Sequence, residues 1–235
     1  MSIADRLAKI QDDIRTLAPG REVTLVAVSK YADVAQMREA YAAGVRHFGE
    51  NKVQDALGKM AQFPPEQFAD LHWHLIGSLQ TNKVNKTVGR FDLIQAVDSV
   101  RLAEALSKAN MAQGVRQAVL IQINMSRDGN RHGLMPDQAA SVVASLLSLK
   151  GIHVRGLMAM APSAASLAGD LSALRVVFGR VTALRDSLSQ KFGIPLPELS
   201  MGMSHDYGPA LESGATIIRI GNFLFQNEEL AYNRQ

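Results

Sequence analysis

Two hydrophobic rhythms alternate along this chain. Ile3, Leu7, Ile10, Ile14 and Leu17 recur three and four residues apart and lay one apolar stripe along a first helix. Short β-rich apolar runs then alternate with longer amphipathic stretches to the end of the sequence. Eight runs predict strands, at 23–28, 46–49, 72–77, 93–97, 118–124, 154–160, 199–203 and 217–220. Helices are expected between them, among others at 33–43, 51–60, 100–112, 137–149, 171–192 and 207–213.

Local punctuation agrees with this reading. Asp33, Asp137 and Asp206 stand where an N-cap oxygen accepts from orphan amides of a first turn. Gly44, Gly114, Gly151, Gly193 and Gly214 follow helices where a left-handed residue is wanted. A βα alternation with strands apolar on both faces predicts an α/β fold: a single (β/α)8 TIM-type barrel with an extra N-terminal helix. No Pro/Gly/Ser-rich linker divides it, so residues 1–235 are expected to form one domain. The stretch 161–169, rich in Ala and Ser, reads as a loop at a strand's C-terminal end.

Composition narrows the function classes. The 47% hydrophobic and 20% charged content is that of a globular chain. A formal charge of +3 comes from scattered Lys and Arg with no basic stripe, which argues against nucleic acid as a partner. With no cysteine, disulfides and thiolate metal sites are excluded, in keeping with a reducing compartment. The N-terminal stretch lacks the continuous apolar run of a signal peptide, and nothing reaches the roughly 18 apolar residues of a membrane span. A soluble, cytoplasmic protein is expected.

In a barrel, chemistry gathers at the C-terminal ends of the strands, and phosphate groups bind after strands seven and eight. Strand one ends in AVSK, which puts Lys30 at the edge of the apolar core. A lysine partly desolvated there would lose proton affinity and could attack a carbonyl as a neutral amine. Ser204, Gly221 and Asn222, at the exits of strands seven and eight, offer donors and close backbone approach to a phosphate. Arg219 lies on the opposite strand face from Ile218 and Ile220; inside the barrel it would need a fixed acceptor, which a pyridine nitrogen would supply. Asn51 can reach a ligand oxygen from a helix N-terminus. His74 faces the same way as His72, with Trp73 opposite, and is read as a core or ring-stacking residue. No third ligand stands out to make a metal site of the two histidines.

Taken together, LVAVSK, HFGENKVQDAL, LHWHLIGSLQTNKVNK, QAVLIQINMSRDGNRHGL, GLMAMAP, LSMGMSHDYGPALESGAT and IIRIG resemble the pyridoxal phosphate homeostasis proteins (YggS/PROSC type). The match runs from 25 to 221, in the family's order. This resemblance implies a barrel similar to the alanine racemase N-terminal domain, monomeric or loosely associated, that carries pyridoxal 5′-phosphate without robust turnover. It further implies a Schiff base on Lys30, phosphate contacts from Ser204, Gly221 and Asn222, Arg219 facing the pyridine nitrogen, and Asn51, His74 and Met158 lining the ring. The implied role is to store the cofactor and deliver it to apo pyridoxal-phosphate enzymes, contributing to vitamin B6 and amino-acid balance.

Three departures from the family stand out: Asn222 where Thr or Ser is usual, FLFQNEEL after strand eight, and Arg127 followed by Asp128 in the loop after Met125. Two rival readings remain. A racemase needs a base on each substrate face, and no motif places Tyr31 or Tyr207 as the second; the chain also leaves no room for the racemase's separate β domain. A cofactor-sensing regulatory protein is the other, and the site residues are silent on it.

Overall fold

The computed structural model describes residues 1–126, 132–162 and 170–225. Eight parallel strands close on themselves in sequence order: β1 (Thr24–Val28), β2 (His47–Glu50), β3 (His72–Leu75), β4 (Leu93–Val97), β5 (Gln117–Asn124), β6 (Ile152–Met160), β7 (Glu198–Ser200) and β8 (Ile217–Ile220). The seam is the β1–β8 pairing, with Val26 beside Arg219 and Ala27 beside Ile220. The fold is the predicted barrel, and every expected strand is present within two residues of its predicted start.

Strand alternation builds two cores. Outward residues such as Phe48, Trp73, Ile94, Ile121, Leu157, Leu199 and Ile218 join the helices in one large apolar cluster. Inward residues form a smaller one of Val26, Leu93, Ala96, Leu120, Met158 and Ile217. His74, Gln95, Ser200 and Arg219 are buried polar residues, linked to one another inside the barrel.

The outer layer holds α1 (Ile3–Leu17), α2 (Val34–Ala42), α3 (Val53–Met60), α4 (Val100–Met111), α5 (Ala139–Leu147), α6 (Leu171–Phe192), α7 (Tyr207–Glu212) and α8 (Asn222–Phe225). The β3–β4 connection is a 3₁₀ helix, Thr81–Lys86, instead of an α-helix. Helix α1 starts at a reciprocal cap in which the Ser2 hydroxyl accepts from the Asp5 amide and the Asp5 carboxylate accepts from the Ser2 amide. Its stripe buries Ile3, Leu7 and Ile10 against the barrel's outer layer, and Arg6 Nε donates to the Leu224 carbonyl of α8 at 2.8 Å.

Several local expectations are corrected. Asp33 caps α2 as predicted, its side chain accepting from the Gln36 amide. Asp137 does not cap α5: it lies within a 3₁₀ turn, Pro136–Gln138, and the α-helix starts only at Ala139. Asp206 occupies the N-cap position of α7, but its carboxylate accepts from the Met203 amide behind it and leaves the helix amides alone. Gly151 does not adopt the left-handed conformation. It is required for space, since a Cβ there would come within 2.1 Å of the Ser107 carbonyl oxygen. The loop residues Arg127 and Asp128, most of the 161–169 stretch and the tail beyond Phe225 lie outside the described residues.

Candidate functional site

Lys30 stands two residues beyond β1 in a turn closed by the Ala32 amide on the Ser29 carbonyl. Its side chain is exposed, with Nζ 4.7 Å from the centre of the Tyr31 ring. Lys30, Tyr31, Gly221, Asn222 and Phe225 line one small cleft at the β1–β8 seam. Ser204 is buried beside it, and its hydroxyl accepts from the Phe223 amide at 3.4 Å. The predicted phosphate-side residues are therefore brought together with the lysine.

Asn51 is exposed and sits two residues ahead of α3, whose N-cap is Lys52, so it does not belong to a helix N-terminus. It leaves β2 beside the exit of β3, where Gly77 presses against its backbone. Met158 is in the inner apolar cluster, 2% exposed. Arg219 is inside the barrel as alternation requires, and it meets protein acceptors there. Its Nη1 donates to Ser200 Oγ and its Nη2 to the Ala159 carbonyl at 3.0 Å. Burial pushes the guanidinium down to about 10, with Asp206 opposing the shift, so it stays cationic at neutral pH. Burial also raises Asp206, against the Met203 amide and the Arg219 charge that favour its ionised form.

His74 is buried, and both of its ring nitrogens are engaged: Nε2 lies 3.0 Å from His47 Nδ1, and Nδ1 lies 2.9 Å from Gln95 Nε2. Desolvation, reinforced by His47, pushes His74 down to about 3; desolvation and the neighbouring His72 push His47 to about 4. Among the described residues no group of three His, Asp or Glu side chains is placed to hold a metal.

The depressed His74 has a consequence for stability. It is neutral in the fold but takes a proton in the unfolded chain below about 6.5, so its contribution is intact above that pH and is lost as pH falls. At pH 5 the loss should reach about 2 kcal/mol. Urea unfolding at pH 7.5 and pH 5.0 measures it: His74→Gln should show that much less pH dependence than the wild type, and equal dependence would refute the assignment.

Composition and periodicity did not single out Glu50, Lys59, Gln95 or Ser200. The Glu50 side chain is 1% exposed and takes hydrogen bonds from Lys59 Nζ at 2.7 Å and Ser29 Oγ at 2.7 Å. Lys59 Nζ also donates to the Ser29 carbonyl, so this pair grips the residue just before Lys30. A glutamate at the end of an apolar strand followed nine residues later by a lysine was the available signal. Among the described residues no helix is long and apolar enough to cross a membrane.

Known proteins share this arrangement of chain and fold. The family profile of the alanine racemase N-terminal domain matches residues 4–228. A pyridoxal phosphate homeostasis protein of Aquifex aeolicus is 35% identical over 230 residues, covering 96% of this chain and 98% of its own length. One from Mus musculus is 38% identical over 218 residues, 88% of this chain and 77% of its own. Among solved structures, PipY of Synechococcus elongatus PCC7942 with PLP bound superposes with a TM-score of 0.85 at 39% identity, over 95% of this chain and all of that one. The alanine racemase of Clostridium difficile 630 is 13% identical with a TM-score of 0.72, over 94% of this chain and 56% of that one; it shares the fold. The chain belongs to the pyridoxal phosphate homeostasis protein family, on an alanine racemase N-terminal domain barrel.

Proposed function

We propose that this protein binds pyridoxal 5′-phosphate as a single barrel domain and acts in cofactor homeostasis, with Lys30 anchoring the cofactor through a Schiff base. The observation that carries the reading is the gathering of Lys30, Gly221 and Asn222 in one cleft, with Ser204 adjoining and Arg219 buried on β8, the strand that leads into Gly221. This donor set matches the group part by part: an amine for the aldehyde, backbone amides and a hydroxyl for the phosphate, and a guanidinium for the ring nitrogen. PipY, a relative at 39% identity, has been solved with PLP bound.

When bound, the cofactor would supply an electron-withdrawing ring able to activate amines. The residues of this chain temper that chemistry. Because a guanidinium only donates hydrogen bonds, Arg219 favours an unprotonated ring nitrogen and weakens the electron sink. An exposed Lys30 suits exchange with incoming amines better than a sealed chamber does. Storage and delivery of the cofactor to apo enzymes in the cytoplasm, by a monomer without robust turnover, is the role these features support best.

The test is reductive trapping. After incubation with pyridoxal phosphate and borohydride, peptide mass spectrometry should find the adduct on Lys30, and Lys30→Ala should lose it entirely. An adduct on another lysine, or none, would overturn the anchoring role. Delivery is tested separately: transfer to an apo acceptor enzyme should outpace release into bulk solution, and equal rates would leave storage alone.

A further inference from the structure

We infer that Ser200 and Gln95 are positioning residues for Arg219, acting through a one-way chain of hydrogen bonds across the barrel that holds His74 and His47 as neutral Nε2–H tautomers. The chain begins at β8, where Arg219 Nη1 lies 2.5 Å from Ser200 Oγ of β7. A guanidinium has five donors and no acceptor, so the proton in this bond comes from Arg219. The Ser200 hydroxyl is then free to donate onward, to Gln95 Oε1 of β4 at 2.6 Å.

That bond fixes the direction of everything beyond it. With its oxygen toward Ser200, Gln95 presents its amide nitrogen to His74 Nδ1 at 2.9 Å. His74 Nδ1 must therefore accept, its single proton lies on Nε2, and this proton is donated to His47 Nδ1 at 3.0 Å. His47 in turn carries its own proton on Nε2. Reversing the Gln95 amide would aim an N–H at a Ser200 oxygen that already accepts from Arg219, and would strip the Ser200 hydroxyl of its acceptor. Ser200 and Gln95 are fully buried and His74 is 4% exposed, which leaves no bulk water to repair such a defect.

The groups that face the remote end are accounted for. The His72 ring stacks on His47 at 4.7 Å between centroids, and its Nδ1 is 2.9 Å from Asp92 Oδ1. Their effect falls first on His47, which the chain needs only as an acceptor. At the near end, Ser200 and the Ala159 carbonyl hold the two terminal nitrogens of Arg219 from β7 and β6. The guanidinium plane is thereby fixed before any ligand arrives.

In one respect this rests on the proposed function: the fixed guanidinium is taken to meet the cofactor's ring nitrogen. The first experiment avoids that premise. Long-range proton–nitrogen correlation spectra of the ¹⁵N-labelled cofactor-free protein at pH 7 should show His74 and His47 as neutral Nε2–H tautomers. An Nδ1–H or cationic His74 would overturn the chain even if every variant failed to fold.

The second experiment reads the cofactor. In loaded Ser200→Ala, the pH midpoint of the bound cofactor's visible band should shift by about one unit, a tenfold change in the proton equilibrium, while Lys30 still forms its borohydride adduct. Ser200→Thr keeps the hydroxyl and should restore the wild-type midpoint. Identical midpoints in wild type, Ala and Thr would overturn the positioning role. Correct tautomers with no adduct on Lys30 would instead sink the functional reading and leave the chain standing.

Discussion

Replacing Lys59 with methionine should cost about 3–5 kcal/mol of stability, because it strands a carboxylate that is already sealed from solvent. Glu50 relies on Lys59 Nζ and the Ser29 hydroxyl, and its second oxygen, Oε2, is buried with no hydrogen-bond partner. Methionine fills the volume of the stem and removes the charge. The double variant Glu50→Gln, Lys59→Met should recover most of the loss, since a pair removed together leaves no uncompensated charge. Urea midpoints for wild type, single and double variants decide it, and a single variant within about 1 kcal/mol of wild type would refute the account. Trapping at Lys30 should slow in the single variant as well, because the lost ammonium also held the Ser29 carbonyl that closes the Lys30 turn.

Gly77→Ala should be comparably damaging and act on a different part of the site. A Cβ at residue 77 would fall 2.3 Å from the Asn51 carbonyl oxygen and 2.8 Å from its Cα, both backbone atoms that no rotamer change can move aside. The two exits must separate, although the Ile76 amide is bonded to the Glu50 carbonyl one step earlier. Overpacking of this kind costs about 1–3 kcal/mol, and disruption of the strand ladder adds to it. For a chain of this size a loss of about 3 kcal/mol lowers Tm by roughly 6–12 °C. A calorimetric Tm within about 2 °C of wild type would show that the exits can part freely.

The barrel was legible in the sequence because its strands are short apolar runs and its helices carry stripes, and both rhythms are local. Helix ends read less well. Pro136 turns the chain into a 3₁₀ helix before α5 can begin, which moves Asp137 out of the capping position. Gly151 looked like a helix terminator but answers to the Ser107 backbone, a neighbour distant in sequence. The cleft residues were found because their family motifs fall at strand exits. Gln95 and Ser200 were not, since a single polar residue in an apolar strand carries no sign of its partner: Ser200 meets a glutamine 105 positions earlier. Lys30 was placed correctly at the exit of β1, where the structure leaves it exposed beside the Tyr31 ring.

The seam between β1 and β8 bears on when the cofactor can be captured. Lys30 is made early by the ribosome, whereas Gly221 and Asn222, which share its cleft, are made almost two hundred residues later. A nascent chain still lacking β8 has the amine but only half the cradle, and β1 has an open edge where Ile217, Ile218, Arg219 and Ile220 will later pair. On the proposed anchoring at Lys30, cofactor capture would be a post-translational event, and a ligand held across the seam would act as a clasp that disfavours reopening of the finished barrel.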